Sequence, residues 1–288
     1  MRRAILVILL GCGTAACGKS SVPPPAPAVP SPVPVVPVVV TGRASASVTG
    51  DPLGNLSIDL AGRLTTTDSQ GRFGYELPPG TSGVFPLVLS GPGIVTRSAN
   101  LSITTSRDVA IDAISLSSGF DLAFYRMFVR DNLDSPGLLR PLRRWLRAPM
   151  IYVRMVDEQG SPIDSATLNS VIAALQDDAE AWTGGRFGLA GLETGTGTRE
   201  TLKCECLGSR VYPGVVRHEL GHAMGFYHTG SITDVMNGTG LPCNARASAR
   251  ERFHAAIAYG RPFGNEDPDT DPSASFQSVP APPIVIVD

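Results

Sequence analysis

Histidine is scarce in this 288-residue chain: there are four, beside five cysteines and two tryptophans, and aromatic residues make up only 6%. An excess of either charge is also missing, since 24 lysines and arginines stand against 26 aspartates and glutamates for a net −2. Without a basic excess no face can neutralise a phosphate backbone, which excludes nucleic acid as a partner. The apolar run Ala4 to Leu10 falls far short of the about 20 residues that cross a bilayer. What the chain does have is a hydrophobic content of 42%, enough for packed cores and incompatible with wholesale disorder. Its length suits about two globular domains of roughly 100–200 residues each.

Residues 1–17 read as an export signal: Met1-Arg2-Arg3 supplies positive charge, Ala4 to Leu10 the apolar stretch, and small residues follow around Cys12 and Cys17. Small residues before a cysteine resemble the bacterial lipoprotein box, which implies lipidation of that cysteine and membrane attachment in a bacterial cell envelope. Leu9-Leu10-Gly11-Cys12 fits the box better, while Thr14-Ala15-Ala16-Cys17 leaves a signal of more usual length and is favoured. A plain secretory signal with incidental cysteines is the alternative. Residues 18–41, with Pro23-Pro24-Pro25-Ala26-Pro27 and prolines at 30, 32, 34 and 37, read as an extended polyproline spacer, and Val38-Val39-Val40 could already begin the next domain. Downstream, an oxidising compartment favours one disulfide from Cys204 or Cys206 to Cys243, because a Cys204–Cys206 ring would be very tight.

Residues 42–118 read as an all-β domain. Leu56, Ile58 and Leu60 alternate with polar or small residues, as do Phe85, Leu87 and Leu89, and Val109 with Ile111. Turn formers separate them at Asp51-Pro52-Leu53-Gly54, Asp68-Ser69-Gln70-Gly71 and Pro78-Pro79-Gly80. The stretch from Thr67 through Phe73 to Gly80 resembles the small β-sandwich found beside carboxypeptidases (the carboxypeptidase-regulatory-like type), which implies a fold and no site. Asp68 is read as a turn cap rather than a calcium ligand.

From 119 to 263 the texture becomes α/β. Phe124 to Leu146 is expected as two short helical pieces broken at Pro136-Gly137, with the arginines of 140–147 on a solvated face. Met150 to Val156 reads as a strand. A long helix is expected to open at Ser161-Pro162, with Asp164 completing a capping box. Its apolar face runs through Leu168, Val171, Ile172, Leu175, Ala179 and Trp182 to a stop at Gly184-Gly185. Phe187 to Leu192 suits a further strand, followed by a Gly/Thr-rich loop. Residues 264–288, with Asp267, Asp269 and Asp271, are expected as a solvated, flexible tail.

Three of the four histidines fall within residues 218–228, His-Glu-Leu-Gly-His-Ala-Met-Gly-Phe-Tyr-His. On a helix, His218 and His222 share a face one turn apart, so both can turn a ring nitrogen toward one metal ion. Gly225 permits the sharp turn that brings His228 back to them. Three protein ligands leave a position for water, the pattern of a catalytic zinc site, and Glu219 is placed beside it as general base. The pattern H-E-x-x-H-x-x-G-x-x-H, followed by Val235-Met236-Asn237, resembles the metzincin clan of zinc peptidases, and the closing helix from Ser248-Ala249-Arg250-Glu251 resembles its matrixin-like members.

Over residues 145–262 that resemblance implies Zn2+ held by His218, His222 and His228, Glu219 as base and Met236 as the methionine beneath the site. It also implies a mixed, mostly antiparallel twisted sheet beside an active-site helix. The 35 residues between the long helix and His218 are few for the two strands that clan members place there. Met224, Phe226 and Tyr227 are read as packing residues, and His254 as a packed or surface histidine. The sequence thus describes an exported multidomain protein, a β-sandwich followed by a metzincin-like zinc endopeptidase with protein or peptide substrates. An envelope binding or adhesion lipoprotein with a vestigial zinc domain is the alternative, and a zinc hydrolase acting on a non-peptide or cell-wall substrate a third reading.

Overall fold

The computed structural model describes residues 36–157, 159–196, 212–240, 243–273 and 285–287. The signal and most of the spacer lie outside these residues, as do Cys204 and Cys206 and therefore the expected bridge. Cys243 is exposed, with a free thiol.

Alternating apolar residues build a β-sandwich. Strand β1 (Val38–Ala46) pairs antiparallel with β4 (Arg72–Leu77) and parallel with β7 (Arg107–Ala113). The facing sheet runs in the order β3 (Arg63–Thr66), β2 (Ser57–Leu60), β5 (Gly83–Ser90), β6 (Arg97–Ile103). Every second residue of β1 and β4 points inward, and Val40, Ile58, Leu60, Leu87 and Leu89 are buried between the sheets. The Tyr75 hydroxyl crosses that core to donate to the Ile58 carbonyl at 2.7 Å. Asp68 caps its turn, accepting from the N–H groups of Gln70 and Arg72 at 2.8 Å each, so its carboxylate is used by the backbone, as the turn chemistry predicts.

The second lobe holds α1 (Leu122–Arg130), β8 (Met150–Arg154), α2 (Ser165–Trp182), β9 (Gly191–Gly195), α3 (Pro213–Ala223), α4 (Ala249–Gly260) and β10 (Val285–Val287). Its described strands form one sheet, β10-β8-β9, in which both pairings are parallel. That differs from the mostly antiparallel mixed sheet expected, because the β8–α2–β9 segment is a crossover unit that returns the chain in the same direction. Only the first of the two expected helical pieces forms. Asp131 adopts a left-handed conformation (φ 63°) and ends α1 there. The following arginines act singly: Arg140 pairs with Asp131, and Arg144 lies over the Tyr259 ring at 5.9 Å. Helix α2 starts three residues later than expected, since Asp164 is itself the cap, accepting from the Ala166 and Thr167 N–H groups. The next strand is likewise shifted, to Gly191–Gly195.

The two lobes lie within one compact unit, Pro37–Asp288. Residues 264–273, expected to begin a solvated tail, are instead a strap between them. Ser98 N–H donates to the Asp269 carbonyl at 3.0 Å and Asp271 N–H to the Ser98 carbonyl at 2.8 Å, so the strap lines the edge strand β6. Arg261, fully buried, holds Asp269 through two nitrogens (2.6 and 2.8 Å) and Asp112 of the sandwich through a third (2.5 Å). Arg97 bonds Asp269 at 3.0 Å and Asp271 at 2.8 Å, while Arg126 takes Asp267 at 2.7 Å. The acidic residues stay folded because each finds a guanidinium, which repays the desolvation of a buried carboxylate. Removing one partner from such a group costs about 3–5 kcal/mol. Arg261→Ala is therefore expected to lower the unfolding free energy by that amount in urea titration, and a loss under about 1 kcal/mol would show that the pairs behave like exposed surface bridges.

Candidate metal centre

Helix α3 carries the first two histidines. Proline at its first position, Pro213, fits a helix start, where the missing N–H has no partner to lose. On one side Val216 and Leu220 face the lobe's core, and His218 and His222 share another. That core is aromatic: the Phe128 and Phe226 rings stack at 4.3 Å, with Trp182 at 5.4 Å from Phe226. Side chains from elsewhere satisfy the carbonyls at the helix end. Trp145 Nε1 donates to the Ala223 carbonyl at 2.7 Å and Tyr259 Oη to the Met224 carbonyl at 3.0 Å. At Gly225 the chain turns with φ 102°, and a Cβ there would strike the Arg143 carbonyl. Only glycine serves both demands, and the turn returns the chain so that His228 faces His222.

The three rings meet at their Nε2 atoms. His222 Nε2 lies 3.1 Å from that of His218 and 3.1 Å from that of His228. Behind each ring, Nδ1 faces an acceptor: the Val235 carbonyl for His218 (2.7 Å), the Phe226 carbonyl for His222 (2.8 Å) and the Asp134 carboxylate for His228 (2.8 Å). Carbonyls and carboxylates only accept, so the proton of each neutral ring sits on Nδ1 and each Nε2 presents a lone pair. Burial pushes the His222 pKa down to about 4, and burial also lowers that of His218. At neutral pH these rings are uncharged and their lone pairs repel one another. A cation between them removes that repulsion, and 3.1 Å is of the size adopted by two nitrogens bound to one ion at about 2.0 Å. The donor set therefore fits a divalent metal that accepts imidazole.

Glu219, next to His218 on α3, is half-buried, and no hydrogen bond holds its carboxylate among the described residues. Burial raises its pKa, against the pull of His228. Met236 is fully buried beneath α3, as the packing role expects. His254 is buried too, but away from the three rings: its Nε2 accepts from Asp121 N–H at 3.0 Å, and Phe124 packs on it edge-on at 4.7 Å. Met224 and Phe226 are buried packing residues. Tyr227 has a buried hydroxyl without a partner among the described residues.

Two contributors escape sequence reasoning, and a third is only half legible. Asp134 lies 94 positions before His228, and no motif joins them. Gly221 leaves the space that Met236 Sδ fills, since a Cβ there would collide with that sulfur. A glycine inside a helix costs about 1 kcal/mol against alanine, and that unexplained cost is the signal that could have flagged it. Glu251 is legible as the capping-box partner of Ser248. Its buried carboxylate also accepts from the N–H groups of Val235 (3.1 Å) and Met236 (2.8 Å), fixing the turn whose carbonyl receives His218.

No protein-family model and no curated relative matches this sequence. Among solved structures, a type II cohesin–X-dockerin complex from Acetivibrio cellulolyticus is similar at 20% identity over 27% of this chain and 58% of that one, with a TM-score of 0.23. A DUF3823 family protein from Bacteroides ovatus is 14% identical over 27% of this chain and 45% of that one, with a TM-score of 0.22. A putative membrane-associated protein from Bacteroides fragilis is 12% identical over 52% of each chain, with a TM-score of 0.23. The chain thus spans about half the length of these structures, and likeness at this level assigns no activity.

The turn at Gly225 offers a direct test of how the site is assembled. Gly225→Ala would need both a left-handed alanine and displacement of the Arg143 backbone, and is expected to destabilise the protein by more than about 1 kcal/mol. It should also weaken divalent-metal uptake by displacing His228. Wild-type thermal stability with wild-type metal uptake in this variant would refute that account of the turn.

Proposed function

We propose that this chain is an exported zinc-dependent endopeptidase of metzincin-like construction, with His218, His222 and His228 as metal ligands and Glu219 as general base. One observation carries the reading: three Nε2 atoms converge, that of His222 lying 3.1 Å from each of the other two, each ring braced through Nδ1, beside a carboxylate that no other group uses among the described residues. A purely structural zinc site takes four protein ligands and needs no neighbouring base. The buried methionine beneath the helix and the glycine-enabled return of His228 support the same construction.

When bound, zinc lowers the pKa of water from ~15.7 toward ~7 and polarises a carbonyl. The protein's own task is to hold the histidines oriented and to move one proton. Glu219 accepts the proton of the attacking water on a carboxylate oxygen and later delivers it to the nitrogen of the leaving amine. The amino-terminal signal and spacer are in keeping with attachment to a bacterial envelope through Cys17 or Cys12, which would hold the two lobes away from the membrane.

The full chain is expected to bind about one zinc, and His222→Ala to lose it, by metal analysis after dialysis. Glu219→Gln should keep the metal and the fold while lowering cleavage of an unfolded protein substrate by at least ~100-fold. An envelope binder with a vestigial zinc domain would have no wild-type cleavage to lose. Fully zinc-loaded wild-type protein that cuts nothing in a broad peptide library would overturn the peptidase reading in favour of that binder.

A further inference from the structure

The acceptors behind the three histidines differ in origin and in charge. His218 and His222 are braced by neutral carbonyls that belong to the same stretch of chain, those of Val235 and Phe226. His228 is braced by a full carboxylate, Asp134, brought from 94 positions upstream at 2.8 Å. The loop that brings it is tied at its neck, where Arg140 N–H donates to the Arg130 carbonyl at 3.0 Å. It is also tied through its interior, where buried Asp131 accepts from Ser135 Oγ at 3.0 Å and Arg140 Nε at 2.5 Å on one carboxylate oxygen. Asp134 itself makes no bond within the loop; among the described residues its hydrogen-bond partner is His228.

We propose that the 131–140 loop is an arm that sets the metal affinity of the centre, with Asp134 as a positioning residue acting through His228. The inference rests on the zinc reading above. A carboxylate accepting the Nδ1 proton makes the opposite nitrogen more basic, fixes the ring's tautomer and holds its rotation, and loss of such a partner typically costs 10–100-fold in metal affinity. The Asp134 side chain is 48% exposed and His228 30%, so the pair contributes little to the fold as a bridge between two charges. Its effect belongs in metal binding, and that separates a positioning role from a structural one.

The test uses the full chain and its Asp134→Asn and Asp134→Ala variants. Zinc affinity is measured by chelator competition, the visible absorption of the cobalt-substituted proteins is recorded, and metal-free thermal stability is followed alongside. Zinc affinity is expected to fall by about 10–100-fold in Asp134→Ala and by less in Asp134→Asn, whose amide oxygen still accepts the proton without a charge. The cobalt spectrum should shift in the same order, while the metal-free melting temperature stays that of the wild type. Wild-type affinity and spectrum in Asp134→Ala would overturn this inference alone. Wild-type protein that takes up neither metal would overturn the zinc reading and this inference together.

Discussion

Three imidazoles whose ring nitrogens meet at His222, 3.1 Å from each of the other two, would rotate apart unless each were held from behind, and much of the second lobe can be read as the means of holding them. The ring nitrogens turned outward are tied to a turn, to the end of the histidine helix and to a distant loop. Each of these supports is itself supported. The turn hangs on Glu251, the helix end on Trp145 and Tyr259, and the loop on Asp131. The polar work around the centre is thus done largely by groups that could never touch a metal or a substrate.

The helix beneath the centre packs closely as well as bonding. Gly221 lets the buried sulfur of Met236 settle against the helix, since a Cβ there would strike that sulfur and crowd Trp182. The aromatic rings below leave little room for that helix to shift. Close packing of this kind transmits small displacements rather than absorbing them. A site that tolerates little error in nitrogen positions benefits from such stiffness.

Sequence reasoning reached furthest where function is written in short-range spacing. The two sandwich sheets follow from alternation, the long helix from its apolar face, and the meeting of His218, His222 and His228 from a four-residue step and one glycine. It failed where a partner is remote in sequence. Nothing in Asp267-Pro268-Asp269-Thr270-Asp271 tells that arginines 97, 126 and 261 await it, and composition alone reads such a stretch as solvated. Asp134 is invisible for the same reason. The parallel course of β9 was missed because periodicity reports which face of a strand is buried and says nothing of its direction.

The strap along β6 bears on the order in which this protein can be made. Arg97 must find Asp269 across 172 positions, and a growing polypeptide offers the sandwich long before it offers the strap. Until the strap arrives, β6 is an uncovered sheet margin with the Arg97 cation still unneutralised beside it. Uncovered margins invite pairing with other chains, and contacts of such long range are slow to close. The finished molecule thus leaves its hazard in its own biogenesis: a nascent first lobe whose safe completion waits on a strap made 172 positions after its edge strand.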